Sequence, residues 1–400
     1  LKTLPGVSVN NELSSQYSVR GGNFDENLLY INDIEINRPL FLRNGQQEGL
    51  SFINSDLVSK AKFSSGGFEA KYGDKLSSVL DVRYNRPDSN QLIVSAGILG
   101  SSIALKQAYK KSYLLAGIRY KNTRSILGKQ DVQGSYNPNF ADVQLLYETN
   151  LSPSLTLGIT GNLNGGRFKL IPDSRETEFG TLSSNLHLNV GYTGEERSSY
   201  FASGGAATFT VTPKANWAIK WINSYFGSSE NENANTIGAY YLDELTLNKP
   251  LPGNVGTSHS LGTYSNFTDN HLRIGTFISE LKSEQNIGNH IFAWGFKYQQ
   301  KRYAEDLNEI YQIDSFTPLS PSNLYNDYVL LRNNNLKINH FSSFIQDSYT
   351  IGAHTDLQLG ARIAYNSISD KISLTPRLLI AYRPEGDNKI LRLSAGVYNQ

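Results

Sequence analysis

Four hundred residues exceed what one compact soluble core usually holds, so the chain is either several domains or a large β-barrel, which uses length without adding cores. Charged residues are 18 %, below the roughly 25 % of ordinary globular chains, and the net charge of +1 excludes a general electrostatic grip on nucleic acid or anionic membranes, leaving only local patches. Without Cys there is no disulfide scaffold, thiolate zinc site or Cys nucleophile, and no apolar run approaches the length of a transmembrane helix.

The chain opens at Leu1, without Met, and passes into Leu4-Pro5-Gly6, which predicts a piece of a longer protein or a mature chain lacking its start. Residues 1–86 are Gly-punctuated, with short strand and turn signals. Tyr17-Ser18-Val19-Arg20-Gly21-Gly22 comes first, then the apolar strand Leu28-Leu29-Tyr30-Ile31. The turn Asn32-Asp33, which tolerates φ > 0, leads to Ile34-Glu35-Ile36. Gln46-Gln47-Glu48-Gly49-Leu50-Ser51-Phe52-Ile53-Asn54 and Leu57-Val58 follow. Phe63-Ser64-Ser65-Gly66-Gly67-Phe68-Glu69-Ala70-Lys71-Tyr72-Gly73-Asp74 then precedes a last apolar strand, Ser77-Ser78-Val79-Leu80-Asp81-Val82. The turn-rich Pro87-Asp88-Ser89-Asn90 separates this unit from residues 87–400.

The second unit alternates. Leu357, Leu359, Ala361, Ile363 and Tyr365 oppose Gln358, Gly360, Arg362 and Ala364. Phe292, Trp294, Phe296 and Tyr298 oppose Ala293, Gly295, Lys297 and Gln299. Leu391, Leu393, Ala395 and Val397 oppose Arg392, Ser394, Gly396 and Tyr398, and Leu155, Leu157, Ile159 and Leu163 repeat the pattern. Period two with one apolar face is a strand wet on its other side. Segments longer than the 5–6 residues of a sandwich strand, with Arg362, Lys297 and Arg392 in mid-strand, fit tilted membrane strands around a polar lumen. Thirteen strands are predicted, near 91–99, 102–109, 113–123, 139–150, 155–168, 200–211, 217–228, 271–284, 290–304, 338–350, 356–368, 374–384 and 390–400. Connections are short at 110–112, 151–154, 212–216, 285–289, 351–355 and 385–389. They are long at 124–138, 169–199, 229–270 and 305–337, while Gly100-Ser101 and 369–373 are short members of that long side. Short turns on one side and long loops on the other are the outer-membrane barrel rule. Keeping that phase puts the strand-like segment 182–193 inside a long loop. An odd count, ending within a strand pattern at Tyr398-Asn399-Gln400, predicts a barrel that continues further. Tyr109, Tyr113, Tyr120, Tyr147, Tyr225, Tyr298, Tyr349, Tyr365 and Tyr382 fall in or at the ends of strands, as a membrane girdle requires.

The ordered elements of residues 1–86 resemble the plug domain of TonB-dependent outer-membrane receptors, and the Gln-Gln-Glu-Gly-Leu-Ser-Phe-Ile-Asn variant resembles the Bacteroidetes-type branch. The resemblance covers the plug from its middle onward and roughly the first half of the barrel. It implies a mostly all-β protein: a partial α+β plug (1–86) and an antiparallel transmembrane β-barrel (87–400) with about 13 of 22 strands. Close packing against barrel walls accounts for Gly21, Gly22, Gly66, Gly67 and Gly73, with Tyr72 in the same motif. Arg20 is either a buried partner of a barrel-wall carboxylate or a solvated strand arginine. By the family layout, ligand meets the plug apices, here Asn23, Phe24, Asp25 and Glu26, and then Arg38, Phe41 and Arg43. The two arginines would hold an anion and the two phenylalanines would form apolar walls.

The resemblance further implies a receptor in the outer membrane of a Gram-negative bacterium. It would bind a scarce solute, such as a metal chelate (siderophore), cobalamin-like cofactor, glycan or peptide, and import it by energy-coupled plug displacement. The implied partners are the inner-membrane TonB complex, a surface lipoprotein and outer-membrane lipid, with no nucleic acid and no cofactor. The TonB box would precede Leu1. Alternatives are a passive porin and a non-transporting subunit of an outer-membrane assembly. Six scattered His (His187, His259, His271, His290, His340, His354) lack ligand spacing, and Glu230-Asn231-Glu232-Asn233 and Glu305-Asp306 match no Ca²⁺ loop. No P-loop, nucleophile elbow or zinc motif is present, so the chain is not read as an enzyme.

Overall fold

The structure is a computed structural model that describes residues 3–9, 16–37, 51–122, 134–136, 138–180, 185–245, 258–315, 328–385 and 389–400. The N-terminal unit contains β1 (Val7–Ser8), β2 (Ser18–Val19), β3 (Asn27–Ile31), β4 (Ile34–Glu35), β5 (Lys60–Ser64) and β6 (Ser78–Arg83). Helix among its described residues is confined to two 3-10 turns, Phe24–Glu26 and Ser55–Leu57. β1 and β2 form a small ribbon, and the other four form a sheet in the order β4-β3-β6-β5, with β3 and β6 parallel. All five residues of β3 are buried, so both its faces are covered, and its sequence is correspondingly apolar without alternation. Asn32 and Asp33 both have positive φ and join β3 to β4 as a two-residue turn, with Ile31 opposite Ile34.

The second sheet comprises β7 (Gln91–Gly97), β8 (Gly100–Ala108), β9 (Ser112–Asn122), β10 (Gly134–Tyr136), β11 (Asn139–Ser152), β12 (Leu155–Pro172), β13 (Arg175–Gly180), β14 (Asn185–Lys214), β15 (Trp217–Leu245), β16 (Ser258–Ile287), β17 (His290–Ser315), β18 (Tyr328–Ile351), β19 (Thr355–Asn366), β20 (Lys371–Tyr382) and β21 (Leu391–Gly396). It is an antiparallel meander of the thirteen predicted strands, with β10 and β13 as side additions on β12 and β14. β7 and β21 are its two edges and do not pair with each other.

The predicted strands are present in their predicted order, but five run well beyond their expected ends. β14 to β16 reach 29 or 30 residues. At about 3.3 Å per residue they approach 100 Å, against the 9–11 residues that cross a bilayer. Much of the expected loops 169–199, 229–270 and 305–337 is therefore strand, and segment 185–193 is the upper part of β14, paired with β15 throughout and with β13 over residues 185–190. Gly227-Ser228-Ser229-Glu230-Asn231-Glu232-Asn233 has poor strand propensity and no apolar face. It is held extended because ladders on both sides template it.

The two faces of the sheet divide as the alternation predicts. Outward residues include Ile159, Phe201, Trp221, Phe296, Ile345, Leu359 and Leu374, all exposed large apolar side chains, as a lipid-facing band requires. Aromatic contacts mark its two borders. Phe209 stacks on Trp221, and His290 on Tyr349, near the short turns. Phe277, Tyr298, Phe341 and Tyr365 form a continuous row across β16–β19, four residues above the Phe209–Trp221 pair and eight above His290–Tyr349. Tyr113 departs from the expected girdle: it is 5 % exposed and packs inward on the first unit.

Candidate functional site

The inner face of the sheet encloses the N-terminal unit, and the two halves of the contact differ in chemistry. One half is apolar. Leu29, Ile31, Phe52, Leu57, Leu80 and Val82 pack against residues of β8–β15, among them Leu115, Phe140, Leu146 and Ile222. A polar clamp sits within it. Arg119 of β9 pairs with Asp142 (2.7 and 2.8 Å) and donates to the carbonyls of Ile53 (2.7 Å) and Ser51 (2.8 Å). Gln144 donates to the carbonyl of Phe52, and Gly117 lies so close to Asn54 that no Cβ fits.

The other half, on β15–β21, is ionic. Carboxylates on the inner unit meet cations on the sheet. Asp33 contacts Arg83 (2.7 Å) of its own sheet and Lys220 (2.6 Å), and its carbonyl accepts from Lys282 (3.2 Å). Glu35 pairs with Lys297, and Asp74 with Arg362 (3.0 Å) and His340 (3.4 Å). Burial pushes the carboxyls of Asp33, Glu35 and Asp74 up. The surrounding cations, led by Lys282, Lys297 and Arg362 respectively, outweigh it and hold all three below their ordinary values. Arg377 completes this wall by donating to the carbonyls of Phe68 (3.3 Å), Glu69 (2.6 Å) and Tyr72 (2.6 Å), its guanidinium over the rings of Phe68 and Tyr398.

Of the five predicted glycines, Gly67 and Gly73 lie close to the second sheet. A Cβ at Gly73 would occupy the space of the Arg362 side chain, and one at Gly67 that of Ser394. Gly21, Gly66 and Gly67 have positive φ, while Gly22 abuts Ser77 and Glu26. Tyr72 donates its hydroxyl to Asp81 (2.7 Å). Arg20 is exposed and lies over Gly6 and Gly66. Among the described residues no ion pair to a barrel carboxylate is seen for it, and it stands in a turn with φ of 50° and not within a strand. Of the mid-strand cations, Lys297 and Arg362 face inward onto the N-terminal unit, whereas Arg392 is exposed.

Asn23, Phe24 and Asp25 sit together at the first 3-10 turn, where Asn23 caps and Glu26 accepts from the Asn23 amide (3.2 Å). β3 runs from this turn down to Asp33, which meets Lys220 near the short-turn end of β15, so the turn points to the long-connection side. Asn23 and Asp25 are exposed there and Phe24 is half-buried. Arg38, Phe41 and Arg43 lie outside the described residues. Sequence reasoning missed Asp33, Glu35 and Asp74 as charge anchors, Lys220 and Lys282 as partners of Asp33, and Arg119 and Arg377 as arginines that donate to carbonyls of the inner unit. The available signal was parity: each of these cations lies on the inward face of its strand.

Residues 1–78 match the family model described as TonB-dependent Receptor Plug Domain. No curated protein sequence matches the chain. The siderophore receptor PiuA from Acinetobacter baumannii is similar in structure, with 13 % identity over 95 % of this chain and 57 % of that one, at a TM-score of 0.54. The RagAB peptide importer in its closed-closed state gives 10 % identity, 93 % and 54 % coverage, and a TM-score of 0.54. The chain thus spans somewhat more than half the length of these two solved structures, and at such identities the likeness is one of fold. Residues 1–78 are thus a plug domain of the TonB-dependent receptor type, seated against the inner face of an antiparallel sheet whose fold is like that of the siderophore receptor PiuA and the RagAB peptide importer.

Proposed function

We propose that this receptor binds a scarce solute outside the cell and imports it when its plug is displaced by energy delivered through the TonB complex. The observation that carries the reading is the plug's mode of attachment. The inner unit is attached to the sheet through separate ion pairs and backbone hydrogen bonds, as a plug closing a lumen would be. A closure built from contacts that break and re-form suits a gate, where a passive pore needs no plug. The family layout places the TonB complex on the short-turn side and a surface lipoprotein, if one serves this receptor, over the long extensions. The Gln-Gln-Glu-Gly stretch favours the Bacteroidetes-type branch. PiuA is a siderophore receptor and RagAB a peptide importer by their names, and we carry both solute classes to this chain as candidates.

The test is deletion of residues 1–86 from the full-length protein, followed by planar-bilayer recording. The parent should be closed and the deletion variant should show stable, large conductance. Equal conductance of the two would remove the plug assignment and with it gated transport.

A further inference from the structure

Above the membrane band, the inner faces of β14–β18 each carry a tyrosine at one level. Tyr192 shares its face of β14 with buried Tyr200, Tyr240 shares its face of β15 with Ile222, and Tyr311 shares its face of β17 with Lys297. Tyr264 and Tyr328 stand likewise on the faces of Glu280 and Phe344. The register places them in a row. Tyr192 is opposite Gly238, Gly238 opposite Tyr264, Tyr264 opposite Ile313, and Tyr311 opposite Tyr328. The hydroxyls of Tyr192 and Tyr240 are 3.5 Å apart, and ring centroids are 6.5 Å apart for Tyr264 and Tyr311 and 5.9 Å for Tyr311 and Tyr328. At the usual strand spacing, five neighbouring strands make a shelf about 19 Å wide. Gly238, which carries no side chain, lies under the ring of Tyr192 and beside that of Tyr240.

The same faces carry carboxylates between the shelf and the membrane band: Glu309 two residues from Tyr311, Glu196 four from Tyr192 and Glu232 eight from Tyr240. Glu232 and Glu309 both accept from Asn270 Nδ2, at 3.4 and 2.7 Å, and Glu196 lies on the adjoining strand. Among the described residues the cation beside them is Arg332, 4.0 Å from Glu305. Tyrosine faces attract cations, and so does the surplus of carboxylates beneath them. An anionic chelate would be repelled here, and a neutral glycan, although its hydroxyls can donate to carboxylates, would lack the charge attraction that a cationic ligand gains. A chain of five or six extended residues matches the width.

We infer that the tyrosine shelf on β14–β18, with Glu196, Glu232 and Glu309 beneath it, is a docking site for a cationic peptide whose ammonium or guanidinium groups lie on the rings and point to the carboxylates. The inference rests on the receptor reading above and narrows its solute class. Its sign is opposite to the anion expected from Arg38 and Arg43.

Isothermal titration of the purified full-length receptor with a lysine-rich hexapeptide tests it, with a glutamate-rich hexapeptide and a neutral hexasaccharide as comparators. The lysine peptide should bind and the comparators should not. The isosteric pair Glu232→Gln/Glu309→Gln should weaken binding about tenfold, as should Tyr264→Ala/Tyr311→Ala, while Tyr264→Phe/Tyr311→Phe should retain it. No binding of the lysine peptide, equal binding of a comparator, or indifference to the glutamate pair overturns the proposal. Any of these leaves transport standing if plug deletion opens the barrel. Binding that follows the variants, with conductance unmoved by the deletion, retains the docking site and sinks the transport reading.

Discussion

At the residue scale, the pair of Lys297 and Glu35 decides how firmly the plug is held. Lys297 is 6 % exposed, so neither charge has water to fall back on. Removing one partner leaves the other buried and uncompensated, which costs about 3–5 kcal/mol, whereas replacing both by apolar groups of similar volume is close to neutral. Lys297→Met should therefore loosen the plug strongly, and Glu35→Leu added to it should recover much of the loss. Plug release followed by conductance in rising urea would measure both variants. A double variant as weak as the single one would mean that the pair acts through packing, not charge.

At the element scale, the turn between β3 and β4 does two tasks that its sequence shows only in part. The positive φ of Asn32 and Asp33 was legible, because these residue types tolerate the left-handed region. What the turn rule does not show is that Asn32 donates Nδ2 to the Tyr84 carbonyl (2.9 Å) and accepts from the Tyr84 amide (2.7 Å), fixing the end of β6. Glycine would suit the dihedrals yet abolish both bonds, at about 1–3 kcal/mol for the buried groups left unpaired. Asn32→Gly should thus speed amide exchange over residues 79–84, and unchanged exchange there would show that the clamp contributes nothing. The same division runs through the molecule. Barrel strands were legible where lipid imposes an apolar face, as at Leu359, Ala361 and Ile363. They were not legible above the membrane, where Asn231, Asn233 and Asn235 face solvent and only neighbouring ladders keep the chain extended. Plug glycines were legible as a motif, but for Gly67 and Gly73 the reason lies in residues hundreds of positions away, Ser394 and Arg362.

At the scale of the whole molecule, the plug is fastened by an apolar wall on one side and an ionic wall on the other, and pH separates them. Asp33, Glu35 and Asp74 have ordinary values of 3.8, 4.5 and 3.8 and are all lowered in the folded protein, against burial, by barrel cations. A lowered carboxylate contributes stability that is fully present above its ordinary value and is lost as pH falls through its folded value. The ionic wall should therefore hold evenly from neutral pH down to about 5 and weaken only below about 4, as protonation leaves Lys220, Lys282, Lys297 and Arg362 facing uncharged partners in a low-dielectric site. The other wall is held mainly by apolar contact, with Asp56, Asp142 and Glu148 as its acids among the described residues, so release should begin at the ionic side. Planar-bilayer recording between pH 8 and 3 should show closure at the upper end and opening events at the lower. The variant Asp33→Asn/Glu35→Gln/Asp74→Asn should show them already at pH 7. Opening of the parent near pH 6 would place the controlling group elsewhere. A triple variant that stays closed at neutral pH would make the apolar wall sufficient by itself to hold the plug.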